Sequence, residues 1–125
     1  MTQTLLAMEN KEYYYIDTIS MSAASSLAEV GYKAEIEDNS PDEYPGSDVH
    51  CLTMYAEVFS IFIRFGINIY IIKKKGGDVW HAKVVCDTEK KISLWGTWKE
   101  VAEIGIQYAV DFLKVKINGR KGTER

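Results

Sequence analysis

Apolar and polar positions alternate most clearly between Ile67 and Cys86. The stretch INIYIIKKKGGDVWHAKVVC reads as two strands joined at Gly76-Gly77, a pair suited to the positive φ angles of a type I′ turn. With those glycines as the loop, Lys75 faces Asp78, Ile71 faces Ala82, Ile69 faces Val84 and Ile67 faces Cys86. One face then carries Ile67, Ile69, Ile71, Trp80, Ala82, Val84 and Cys86. The other is mixed, with Asn68, Tyr70, Ile72, Lys74, Val79, His81, Lys83 and Val85. A slip of one residue would scramble this separation, so the pattern specifies the register.

Around this hairpin the chain predicts further elements. Tyr13 to Ile19 is aromatic and β-branched and suits a strand. Ser20 or Ser22 can cap a short helix with Ala23, Leu27 and Val30 on one side, ending at Gly31. Tyr32 to Glu37 alternates as a half-buried strand with one wet face. Lys91 to Trp95 predicts another strand, and Thr97 with Glu100 forms a capping box that opens a final helix. Val101, Ile104, Tyr108 and Phe112 give that helix an apolar stripe, widened by Gly105, Ala109 and Leu113. Glu100, Glu103, Gln107, Asp111 and Lys114 point to water. The polar tail predicts fraying from about residue 118.

Residues 48–65 support two readings. Their Val, Ile and Phe content favours a strand. The polar residues His50, Thr53, Glu57, Ser60 and Arg64 recur at spacings of three and four and make one narrow helical stripe. Ser47 as N-cap, Asp48 in the first turn and Gly66 past the end fit a mostly buried helix, which is the reading we adopt. The fold expected is α+β, an antiparallel sheet of about four to five strands with helices packed mainly on one face, in a single domain spanning residues 1–125. The second half, with its Trp80-x-Ala82 hairpin and Gly96-Thr97 opening the last helix, resembles the layout of small phage-encoded accessory proteins such as the NinX family. That resemblance implies no mechanism.

Charge changes the picture. The chain has 15 basic and 18 acidic residues, a net −3. Residues 35–48, EIEDNSPDEYPGSD, contain six of the acids and no Lys or Arg. Without them the balance is 15 against 12, or +3, so the acidity is local. The two cysteines, Cys51 and Cys86, fall in apolar segments and read as buried thiols in a reducing compartment. The N-terminal MTQTLLAMENK lacks the features of a signal peptide, which makes cytoplasmic residence the expectation. His50 to Ile72 is long enough to cross a bilayer, but Glu57, Arg64 and Asn68 interrupt it, so no membrane span is expected.

Candidate chemistry is sparse. The acids of residues 35–48 do not follow the calcium-loop spacing, and Pro41 and Pro45 stiffen the stretch at the wrong places. His50, Cys51, His81 and Cys86 include no Cys-x-x-Cys or His-x-x-x-His, so no metal or cofactor is expected. No phosphate-binding or acyl-transfer motif occurs, and no catalytic residue is assigned. Lys73-Lys74-Lys75 at a hairpin tip could reach a nucleic-acid groove. Lysines there also keep edge strands soluble, and an acidic stretch repels phosphate, so the sequence disfavours nucleic acid.

The remaining candidate is the acidic stretch itself. Glu35, Glu37, Asp38, Asp42, Glu43 and Asp48, with Tyr44 among them, suit a basic protein partner, such as a nuclease or other nucleic-acid-binding protein. The expected function is a small non-enzymatic binding or inhibitor protein, of the immunity-protein or phage anti-defence type. An undedicated solvated loop would have the same composition. The alternative is a small-ligand binder or small hydrolase, with a pocket between sheet and helices that uses His81, Tyr70 or Cys51. The mixed sheet face, with Tyr70, Ile72, Val79 and Val85, is also a candidate homodimer interface.

Overall fold

The computed structural model describes residues 14–123, with side chains through Gly119. The signal-peptide reading of residues 1–11, Tyr13 of the first expected strand, and the last two residues of the polar tail lie outside the described residues. The element order is α1 (Met21–Ala28), β1 (Ile36–Asp38), β2 (Val49–Cys51), α2 (Tyr55–Ile63), β3 (Ile67–Lys73), β4 (Trp80–Cys86), β5 (Glu89–Ile92) and α3 (Trp98–Thr123).

The β3–β4 hairpin has the expected register, with Ile67 opposite Cys86, Ile69 opposite Val84 and Ile71 opposite Ala82. Its turn differs. Gly76 has a φ of +80°, whereas Lys75 and Gly77 do not have positive φ. The Gly77 N–H donates to the Lys74 carbonyl at 3.2 Å. Positive φ at the third turn position alone is the type II pattern, so Gly76 is the residue whose freedom the turn uses. The pairing survives because the wider loop grows equally on both sides.

Two expected elements are replaced. Residues 14–16 are helical rather than extended, and what remains of strand pairing is an isolated bridge of Thr18 with Met54. Tertiary contact overrides propensity here: Tyr14 stacks on Trp98 at 5.3 Å, and Tyr15 and Tyr55 meet the same indole edge-on at 5.2 Å each. The single helix over 48–65 is also corrected. Val49–Cys51 pairs with β1 as a strand, and the helix begins only at Tyr55, with Met54 as its N-cap rather than Ser47. Thr53 makes this break. Buried, its hydroxyl accepts from the Glu35 N–H at 2.9 Å and its carbonyl from the Ile19 N–H at 2.9 Å. Gly66 closes α2 with a φ of +75°.

The fold is α+β, but its strands form two antiparallel sheets, β1–β2 and β3–β4–β5, rather than one. The central helix explains the division. At 100° per residue, Glu103, Gln107, Val110 and Lys114 share one side of α3, and Val101, Gly105, Tyr108 and Phe112 share the opposite side. The first side ties to α1: Ser20 to Glu103, Ser26 to Gln107 at 2.8 Å, and Lys114 to Glu29 at 2.6 Å. The second lies on the three-stranded sheet, where a Cβ on Gly105 would stand 3.0 Å from an Ile69 methyl. Gly105 therefore permits the close approach of helix and sheet. A third arc, Ala102, Ile106, Ala109 and Leu113, is buried too.

Ile104 falls on the remaining strip and is exposed, a correction to the expected stripe. α3 continues to Thr123, past residue 118. Ser20 caps α1, accepting from the Ala23 N–H at 3.0 Å, and α1 turns the side bearing Met21, Ala24 and Ala28 toward Ala34 and Ile36. The layers therefore run β1–β2 hairpin, α1, α3, three-stranded sheet. No helix among the described residues is long and apolar enough to cross a membrane.

Candidate functional site

The acidic stretch is the connection of the β1–β2 hairpin, and it is more ordered than its composition suggests. Glu37 pairs with His50, and Asp38 with Val49. Beyond them the Asn39 N–H donates to the Asp48 carbonyl at 2.9 Å, and the Asp48 N–H to the Ser40 hydroxyl at 2.8 Å. The tip folds into consecutive turns: Tyr44 N–H to the Pro41 carbonyl at 3.0 Å, then the Ser47 hydroxyl to the Tyr44 carbonyl at 2.7 Å. Gly46, with a φ of +82°, allows the second turn. Such local side-chain-to-backbone bonds are what Ser, Asn and Asp supply in turns.

Each carboxylate can be placed. Asp38 accepts from the Ser40 N–H at 2.9 Å, and the Ser40 side chain and then its backbone hold that carboxyl below its ordinary value. Asp48 pairs with His50. Among the described residues no ion pair reaches Glu35, Glu37, Asp42 or Glu43, and all four are exposed. Tyr44 stands among them 65 % exposed. The hairpin thus gathers all seven expected residues on one projection, with five carboxylates, Asp38 included, that no cation pairs among the described residues.

The residues named for a ligand pocket are not brought together. Cys51 is buried in the core, whereas Tyr70 and His81 lie on the outer face of the three-stranded sheet. No group of three or more His, Cys, Asp or Glu among the described residues is arranged to hold a metal ion. Burial, partly offset by Lys116, raises the Cys86 thiol above its ordinary value, which keeps it protonated.

Two features were missed in the sequence. Glu103 does not point to water. It accepts from the Tyr55 hydroxyl at 2.7 Å, from the Ser20 hydroxyl and from the Ser20 N–H at 3.3 Å, joining α1, α2 and α3. Burial, and then the bond to Glu103, push the Tyr55 phenol far above its ordinary value. Only the Glu-x-x-x-Gln spacing of Glu103 and Gln107, on the α1 side of the helix, marked that side in the sequence.

The second feature is a bulge. The strand expected over Lys91–Trp95 is instead Glu89–Ile92. Ser93 still meets Ala82, and Gly96 pairs with Trp80 through two bonds of 2.8 Å, so Leu94 and Trp95 together oppose His81. Two residues against one define a β-bulge, which re-aims side chains. It sets the Trp95 ring edge-on to His81 at 4.5 Å and leaves His81 Nδ1 buried without a hydrogen-bond partner. Comparison with protein-family models, curated proteins and solved structures found no match.

Proposed function

We propose that this chain is a non-enzymatic binding protein that presents its β1–β2 hairpin to a basic protein partner. The observation that carries the reading is the unneutralised carboxylate set Glu35, Glu37, Asp38, Asp42 and Glu43 around exposed Tyr44, on a hairpin that its own hydrogen bonds hold in shape. Clustered charge of one sign steers an oppositely charged partner and raises the association rate. Pre-formed turns reduce the ordering cost on binding, and an exposed aromatic supplies a contact anchor. An inhibitor of a nuclease or another nucleic-acid-binding protein fits this chemistry, because such partners carry Lys- and Arg-rich surfaces.

A pull-down from host extract with the wild type and with the Glu37→Gln/Asp38→Asn/Asp42→Asn/Glu43→Gln variant tests the reading. The Asp38→Asn change keeps a side-chain oxygen for the Ser40 N–H, so the turn retains its acceptor. A protein captured by the wild type, released at high salt and missed by the variant is the expected result. Equal capture by both would remove the hairpin from the function.

A further inference from the structure

The outer face of the three-stranded sheet is the opposite pole of the molecule, and its composition is the reverse of the hairpin's. From the pairing, its rows read Asn68–Val85–Lys90, Tyr70–Lys83–Ile92 and Ile72–His81 with the Leu94–Trp95 bulge beside it. No Asp or Glu stands in those rows. Helix α3 covers the other side of the sheet. Tyr70 and Trp95 are each 49 % exposed, and the Lys74 ammonium lies 5.7 Å from the Trp95 ring.

We propose that this face binds single-stranded nucleic acid, with Tyr70 and Trp95 as base-stacking platforms and Lys74, Lys83 and Lys90 as phosphate contacts. Aromatic rings spaced across a basic surface are the chemistry that holds unpaired bases without reading their sequence. The edge-on contact with His81 props the Trp95 ring on this face, where a base can stack on its exposed side.

A second copy of this chain fits the face less well. Stacking it on itself would bring Lys83 and its neighbours against their own equivalents with no carboxylate between them. The acidic hairpin does not oppose a phosphate here. It lies beyond α1 and α3, two helices of about 10 Å each, whereas screening acts within about 8 Å at physiological salt.

Fluorescence anisotropy of a labelled single-stranded 12-mer, as oligo(dT) and as oligo(U), tests the proposal with the full chain. Binding at low salt is expected, with log K falling against log salt at a slope of about −2, as three phosphate contacts on a single strand predict. Trp95→Ala and Tyr70→Ala should each weaken binding roughly tenfold or more, and Lys83→Ala should flatten the slope. A duplex of the same length should bind more weakly. Absence of single-strand binding at low salt would overturn the proposal, as would affinity unchanged in both aromatic variants. So would a concentration-dependent dimer in sedimentation that Tyr70→Ala dissolves, since that would give the face to a second copy. All three substitutions are at partly or well-exposed side chains, and circular dichroism of each confirms that the fold is retained.

Discussion

Replacing Glu103 with Ala should be among the most damaging single changes at a half-buried position in this chain. The carboxylate accepts from Tyr55, Ser20 Oγ and Ser20 N–H, and those donors belong to two other elements. Tyr55 is fully buried, so its hydroxyl would have no water to turn to. A buried donor left unpaired costs about 1–3 kcal/mol, and loss of the tie at the α1 cap adds to it. The sum is about 3 kcal/mol, a large share of a typical stability of about 5–15 kcal/mol.

Tyr55→Phe alone should cost less, about 1–1.5 kcal/mol, because Glu103 keeps both Ser20 donors. In the Glu103→Ala background the same Tyr55→Phe change should cost little or nothing further, since it removes the orphaned hydroxyl. Urea unfolding followed by circular dichroism measures all four members of this cycle. With m near 1–3 kcal/mol per molar urea, Glu103→Ala should lower the midpoint by roughly 1–3 M. A loss within about 0.5 kcal/mol, the usual range for surface substitutions, would refute the tie and return Glu103 to solvent.

Three further outcomes follow from the same geometry. Stability should fall as pH rises above about 10, because the unfolded phenol of Tyr55 then ionises while the folded one, its pKa raised, keeps its proton; Tyr55→Phe should remove that share of the alkaline loss. Gly105→Ala should destabilise by about 1 kcal/mol, overpacking against Ile69 and Ala82 at about 1–3 kcal/mol outweighing roughly 1 kcal/mol of helix propensity; a rise in the thermal midpoint would contradict it. Asp38, its carboxyl held low by Ser40, contributes order to the hairpin above the unfolded carboxylate pKa and loses it as pH falls through the lower folded value. The protection factor of the Ser40 amide, the intrinsic exchange rate divided by the observed rate at the same pH, should fall on acidification, and in Asp38→Ala it should be low already at neutral pH.

What could be read in the sequence was local. The β3–β4 register follows from strict alternation flanking Gly76-Gly77, and even a different turn type left it intact. Ser20 and Gly31 bracket α1, and Thr97 with Glu100 opens α3, because caps are short-range hydrogen bonds. What could not be read depends on distant partners. Val49–Cys51 is a strand because Ile36–Asp38 lies beside it, although its own polar residues keep a helical spacing. Whether five strands make one sheet or two depends on α1 standing between them. Burial of α3 on three sides likewise comes from three separate elements, which a single amphipathic stripe does not describe.

The seven hairpin residues were legible as a charge cluster, since a run of acids is a property of composition. Their rigidity was not. It rests on Ser40 and Ser47, whose hydroxyls meet backbone groups eight and three residues away. The Tyr70–Trp95 face was half legible: alternation placed Tyr70 and His81 together, but the bulge that swings Trp95 onto His81 required knowing where Gly96 pairs.

The central claim, that the β1–β2 hairpin engages a basic protein, is tested most directly by association kinetics. The partner captured from host extract is mixed with the wild type and with the quadruple hairpin variant over a salt series. The account predicts a wild-type on-rate that falls steeply with ionic strength and a variant on-rate roughly tenfold lower and nearly flat. Identical rates and identical salt dependence for the two proteins would contradict it.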